Sequence, residues 1–247
     1  MWLVCAAAFA QAPQIGQVSR DSVWVPTPER MIRRLLQLAD TTKDDVVIDL
    51  GSGDGRIPIY AAKHFGALGI GVELENNLVE LSKKSAAAEG VANRVRFLQQ
   101  DLFQADISGA TVIALYISPG VMERLRPRLL ALKPGTRVVS HYFTLGDWQP
   151  DEVIQVEGRT GYLWVVPAAV AGEWRVNDEF RVRIDQHHQA LTTSGERDGK
   201  PLHVIGARLR GTEIRFTSFD RDGSTRHFEG RVDGRRMTGA GWTASRR

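Results

Sequence analysis

Apolar residues at Met31, Leu35, Leu36 and Leu38 recur at helical spacing. Thr27-Pro28-Glu29 ahead of them offers a capping threonine and a proline suited to a first turn, so a helix is expected from about Glu29. Beyond it two periods alternate. Runs at 46–50, 68–73, 94–98, 111–117 and 136–143 are apolar or β-branched and read as strands, and helical periodicity fills 55–65, 76–89 and 119–131. This rhythm predicts an α/β class with a Rossmann-like, doubly wound, mostly parallel sheet. After "YLWVVPAAVAGEW" (Tyr162 to Trp174) the period shortens. "FRVRID", "LHVIGARLR" and "EIRFTSF" alternate residue by residue between Asp-Gly and Arg-Gly turns, which predicts a small C-terminal antiparallel β domain. The expected division is an apolar segment at 1–21, the α/β domain at 22–171 and the β domain at 172–247.

Composition narrows the class. With 247 residues, 43% hydrophobic and 25% charged, the chain has material for one large domain or a medium and a small one, and it is not disordered. The net charge of +3 is modest, with the basic surplus lying after residue 172. The single cysteine, Cys5, excludes an internal disulfide framework and a cysteine metal cluster. The opening "MWLVCAAAFAQA" is apolar and ends in small residues at Ala8-Phe9-Ala10, yet carries no basic residue before Trp2. It reads either as a signal, making the protein periplasmic or membrane-associated, or as an apolar tail packed on a cytoplasmic domain.

The chemistry concentrates in "VVIDLGSGDGRIPIYAAK" (Val46 to Lys63). Gly51, Gly53 and Gly55 stand between a strand and a helix, where glycines permit a tight turn and close approach of a ligand to the main chain. A dinucleotide loop needs G-x-G-x-x-G/A, but Arg56 occupies the sixth position, and no phosphate-binding G-x-x-x-x-G-K-[ST] is present. Acids flank the loop instead: Asp49 enters it, Asp54 lies in it and Glu73 ends the next strand. Such a pocket suits a cationic ligand with a ribose, and S-adenosyl-L-methionine carries a sulfonium, an ammonium and a ribose diol without phosphate. Glu73 is placed to accept from both ribose hydroxyls, Asp101 from the adenine amino group beside the Leu102 amide, and Asp49 to hold the ammonium directly or through water. Each acid has a plain structural alternative as a cap, a solvated strand end or a turn residue.

Those blocks resemble the class I S-adenosylmethionine-dependent methyltransferases. Together with "VPTPERMIRRLLQLA", "GIGVELENNLVELSKKSA", "VRFLQQDLFQADI" and "RLRPRLLALKPGTRVVSHYFTLGDWQP", they resemble in particular the family of the mitochondrial ATP synthase c-subunit lysine methyltransferase and its prokaryotic relatives, over residues 22–166. The resemblance implies Asp49, Gly51, Gly53, Glu73 and Asp101 as cofactor contacts, with Pro26 and Thr27 against the methionine end. It also implies a protein lysine as acceptor, in a membrane protein on the example of that branch.

At the acceptor end the sequence departs from amide- and amine-methylating enzymes with [DN]-P-P-[YF]: here "LYISPG" follows the fourth strand. Tyr116, Ser118 and Pro119 are candidates to line the acceptor channel, or else a core tyrosine and a Ser-Pro helix start. Methyl transfer rests on orientation and exclusion of water, so no obligatory base is expected; His141 is the nearest candidate, with a structural role as the alternative. His187 and His188, adjacent on a strand, should face opposite sides, and no metal is expected. Arg208, Arg210, Arg215, Arg235 and Arg236 make either a solvated sheet face or a surface for an acidic partner or membrane, and nucleic acid is not favoured for want of an aromatic stacking motif. A small-molecule acceptor and an exported cofactor-binding module without turnover are the alternatives.

Overall fold

In the computed structural model, residues 13–16, 24–220 and 223–246 are described. The signal-like stretch with Trp2, Cys5 and Ala8 to Ala10 therefore lies outside the described residues. No helix among the described residues is long and apolar enough to cross a membrane.

The amphipathic run after Pro28 forms α1 (Glu29–Leu38), burying Met31, Ile32, Leu35 and Leu36. Its N-cap is Pro28 and no side chain caps it, which corrects the expected threonine cap: the Thr27 hydroxyl is engaged elsewhere. The alternation that follows gives β1 (Val46–Leu50), α2 (Arg56–Phe65), β2 (Leu68–Glu73), α3 (Asn76–Ala88), β3 (Val95–Gln99), β4 (Val112–Leu115), α4 (Pro119–Leu130) and β5 (Arg137–His141). A hairpin not legible beforehand, β6 (Glu152–Val156) with β7 (Arg159–Val165), completes a sheet of order β3-β2-β1-β4-β5-β7-β6. β1 pairs in parallel with β2 and with β4, and β6 with β7 antiparallel. The strand order reverses between β1 and β4, and in open α/β sheets ligands bind at the carboxyl ends beside such a reversal. That is where the glycine loop emerges.

Gly55 shows where the loop has no room for a side chain. It caps α2 at φ 76°, and a Cβ there would lie 2.6 Å from the Phe97 ring and 2.8 Å from Ser82. Gly55→Ala is expected to destabilise the protein by roughly 2–4 kcal/mol, combining the left-handed backbone cost with overpacking. A thermal or urea melt checks it; a wild-type midpoint would mean that Phe97 and Ser82 yield without cost.

The second half is antiparallel, as expected, and it closes on itself. β8 (Gly172–Val176), β9 (Phe180–His187), β10 (Ala190–Arg197), β11 (Lys200–Arg210), β12 (Glu213–Phe219), β13 (Thr225–Asp233), β14 (Arg236–Gly239) and β15 (Trp242–Arg246) form a closed barrel, β15 returning to β8 through Ala244 opposite Val176. Closure removes the exposed strand edges. Along β9, Phe180, Val182 and Ile184 point inward and Arg181, Arg183 and Asp185 outward. The interior is filled by side chains, with Phe216 stacked on Phe228 at 4.7 Å and Trp242 edge-on to both. Arg208, Arg210, Arg215, Arg235 and Arg236 are exposed, and Arg208 stands directly opposite Arg215. The expected opposition of His187 and His188 is not observed: β9 ends at His187, His188 turns left-handed at φ 53°, and the rings lie 4.3 Å apart.

The described residues fall into two compact units. One runs to Arg126 and again from Val138 to Leu163; the other takes Pro127–Arg137 and the chain from Trp164.

Candidate cofactor pocket and acceptor corner

The loop between β1 and α2 is held from both sides. The Gly51 and Ser52 amides donate to the Val72 carbonyl at 2.9 and 3.0 Å, and the Ser82 hydroxyl donates to the Gly53 carbonyl at 3.0 Å. Glu73, only 8% exposed, fixes the loop to the end of β2: its carboxylate accepts from the amides of Gly53 (2.9 Å), Leu74 (2.8 Å) and Glu75 (3.0 Å).

These groups wall a pocket at the carboxyl ends of the strands. Its lining includes Pro26, Thr27, Asp49, Gly51, Gly53 and Glu73, as expected, and on the far side Asp101, Leu102 and Tyr116. The geometry thus brings together, around one cavity, every residue anticipated for the cofactor. Ser118 and Pro119 do not line it: the lining stops at Ile117, and α4 begins at Pro119. His141 stands behind the wall: its ring lies 4.1 Å from that of Tyr116, and its Nδ1 is 3.3 Å from the hydroxyl of Thr27.

Two functional candidates escaped the sequence reading. Trp24 lies across the glycine loop, its indole within 2.5 Å of where a Gly53 Cβ would be, so Gly53 is required by a close approach as well as by its φ of 53°. Arg56 grips Asp54 through Nε (2.9 Å) and Nη2 (2.6 Å) and donates from Nη1 to the Thr27 carbonyl at 3.2 Å, tying the segment before α1 to the loop. The signal for Arg56 was its position where a dinucleotide loop needs a small residue. Nothing local marked Trp24.

Electrostatics show what the pocket favours. Asp49 is almost fully buried, and its carboxyl is pushed well above its ordinary 3.8, first by burial and then by the neighbouring charges of Glu73 and Asp54. With Asp54 paired to Arg56, the carboxyl groups of Asp49 and Glu73 at the recess favour a cation. The Ser52 hydroxyl, in the same wall, is buried with no partner. A ligand with a positive centre and hydroxyl groups answers both conditions, so the residues fit S-adenosyl-L-methionine. His141 is 2% exposed and held neutral, its pKa lowered to about 4 by burial and by the charge of Arg159.

Comparisons with known proteins agree with this geometry. The family model described as the ANTKMT methyltransferase domain matches residues 49–152. A protein-lysine N-methyltransferase of Saccharolobus islandicus is 44% identical over 149 residues, covering 58% of this chain and 92% of that protein. An ATP synthase c-subunit lysine N-methyltransferase of Xenopus laevis is 33% identical; the match spans 53% of this chain and only 57% of that enzyme's length. Among solved structures, an RNA methyltransferase of Salinibacter ruber in complex with S-adenosyl-L-homocysteine is 51% identical, covering 59% of this chain and 96% of that one with a TM-score of 0.58. The cofactor is S-adenosyl-L-methionine, and the chain belongs to the family of the ANTKMT methyltransferase domain, within the class I S-adenosylmethionine-dependent methyltransferases.

Proposed function

We propose that this enzyme methylates the ε-amino group of a lysine in a protein, and that the substrate is membrane-associated. The observation that carries the reading is the 44% identity to a protein-lysine N-methyltransferase across 92% of that protein, joined to an acceptor end without the Asp/Asn-Pro-Pro signature. The cofactor supplies an activated methyl on a sulfonium. Asp49 and Glu73 hold its ammonium and ribose, Asp101 and Leu102 its adenine, and Gly51 and Gly53 let it approach the backbone, with Pro26 and Thr27 at its methionine end.

The chain's own task is then to orient the amine, keep out water and favour the neutral form. A free lysine at about pKa 10.4 is almost wholly protonated near neutrality. His141, with a pKa of about 4, is far too weak a base to take that proton, so we assign it as a hydrogen-bonding wall of the acceptor channel beside Tyr116; the lysine gives its proton to bulk buffer at the channel mouth, before the neutral amine enters the water-excluding end. Ser118 and Pro119, at the start of α4, are the outer rim of the same channel in this reading. The catalytic domain is assigned to 22–171 and a second domain to 172–247, whose barrel, from Gly172 to Arg246, presents the exposed arginines to the substrate; its closure on itself supports a separate module.

A second reading, RNA as acceptor, has one observation in its favour: the name of the Salinibacter ruber relative. Incubating the protein with methyl-tritiated cofactor and separate membrane, soluble-protein and RNA fractions of the source organism distinguishes them. Lysine methylation predicts protease-sensitive label that elutes as methyllysine after acid hydrolysis, enriched in the membrane fraction. Label sensitive to ribonuclease would replace the reading with the second one.

A further inference from the structure

The turn after β5 holds a backbone conformation that its sequence does not favour. Tyr142 sits at φ 74°, where an aromatic L-residue is an outlier. The Phe143 amide donates to the His141 carbonyl at 3.0 Å, closing a γ-turn of the rare positive-φ kind around Tyr142. Two further bonds hold it there: the Tyr142 amide donates to the Thr160 carbonyl at 2.8 Å, and the buried Ser140 hydroxyl to the Phe143 carbonyl at 2.7 Å. A glycine would adopt this geometry without cost. A turn kept only to reverse the chain has no use for tyrosine, whereas strained side chains cluster where they meet ligands.

The strain places rings. Tyr142, 56% exposed, meets Phe143 edge-to-face at 5.2 Å; Phe143 lies nearly parallel to Tyr116 at 6.2 Å; and Tyr116 lines the pocket while its ring lies tilted against that of His141 at 4.1 Å. A line of aromatic faces therefore leads from the surface to the reaction centre. Behind Tyr116 the Nε2 of His141 is buried without a partner, an orphaned polar atom of the sort that a ligand satisfies. We propose that Tyr116, Tyr142 and Phe143 form a cation-binding subsite that receives the ammonium group of the acceptor, with His141 Nε2 as its inner hydrogen-bond partner. Ring faces attract ammonium groups, most strongly where water is excluded. Arg159, an exposed cation whose field reaches His141, disfavours a second positive charge at the inner end, so an amine moving inward is biased toward the neutral form that attacks the methyl.

This inference rests on the lysine reading, and its test separates the two. The full-length protein loaded with S-adenosyl-L-homocysteine is titrated by saturation-transfer NMR with choline and with its uncharged isostere 3,3-dimethylbutan-1-ol. Choline should bind at least about tenfold more tightly, the upper range of a cation–ring contact. Tyr142→Gly removes the ring while relaxing the turn, so it should melt no lower than wild type, bind S-adenosyl-L-homocysteine unchanged and lose about five- to thirtyfold in choline affinity. Tyr142→Phe should restore choline binding. Equal binding of the two probes, or undiminished choline binding by Tyr142→Gly, overturns the subsite. Choline on the rings with label only in RNA upholds the subsite and removes the lysine reading; methyllysine formed while choline ignores the rings does the reverse.

Discussion

Glu73→Gln is expected to weaken cofactor binding by roughly 10- to 100-fold, the loss of a charge-assisted acceptor of about 1.5–3 kcal/mol. The glutamine has nearly the same shape but one acceptor oxygen where the carboxylate has two. In the structure Oε1 already accepts from Leu74 and Glu75 and Oε2 from Gly53, which leaves about one lone pair, on Oε2, for a ribose hydroxyl. Glu73→Ala would orphan the amides of Gly53, Leu74 and Glu75 together, whereas Glu73→Gln keeps an oxygen for one side and turns its NH2 toward the other, so the affinity of each variant is read beside its own melt. The sequence alone placed Glu73 at the ligand rim with no structural task, and the three amides show otherwise. Calorimetric titration with S-adenosyl-L-homocysteine, beside a melt of each protein, measures the effect. A well-folded Gln variant with wild-type affinity would reduce Glu73 to a loop clamp.

The second large effect is on pH. Folding raises the Asp49 carboxyl above its ordinary 3.8, so between that value and its folded pKa the native state binds more protons than the unfolded chain. Its contribution to stability is full below 3.8 and is lost as pH rises through the folded pKa. Cofactor binding reverses the balance. A cation beside Asp49 favours its ionised form, so binding should release a proton and the affinity should rise with pH across the same window. Repeating the calorimetry in buffers of different ionisation heat counts that proton. Asp49→Asn should melt higher than wild type without ligand and lose the proton release, while binding cofactor about tenfold or more weakly. Binding with no proton exchange at any pH in the window, together with an unchanged Asn variant, would place the cofactor's positive groups away from Asp49.

The two effects share a cause. In the free protein burial, and then the charges of Glu73 and Asp54, disfavour the Asp49 carboxylate, and a positive charge on the ligand is expected to offset that cost. Part of the binding energy is thus stored as destabilisation of the empty pocket, a cost commonly found at functional sites.

The sequence by itself determined what short-range pattern can encode. Strand and helix periods need only neighbours a few residues apart, so β1 to β5 and α1 to α4 were legible nearly to their ends. That Asp49, Gly51, Gly53, Glu73, Asp101 and Leu102 line one pocket was legible for a related reason: each stands at or just beyond the end of a strand, at a spacing set by the βαβ repeat, and topology alone carries those ends to one edge. The tertiary structure decided whatever depended on distant partners. The Thr27 hydroxyl meets His141, 114 positions away, so a residue with the chemistry of a helix cap bonds to the end of β5 instead. Trp24 covers Gly53 although nothing in its own segment marks it, and the positive φ of Tyr142 requires Thr160 on a strand that the sequence did not disclose. The alternating pattern of the second half announced strands with one buried face, but not whether the last would return to the first. Alternation records which side of a strand is buried, whereas closure depends on the accumulated twist and stagger of eight strands, a quantity that no single segment contains.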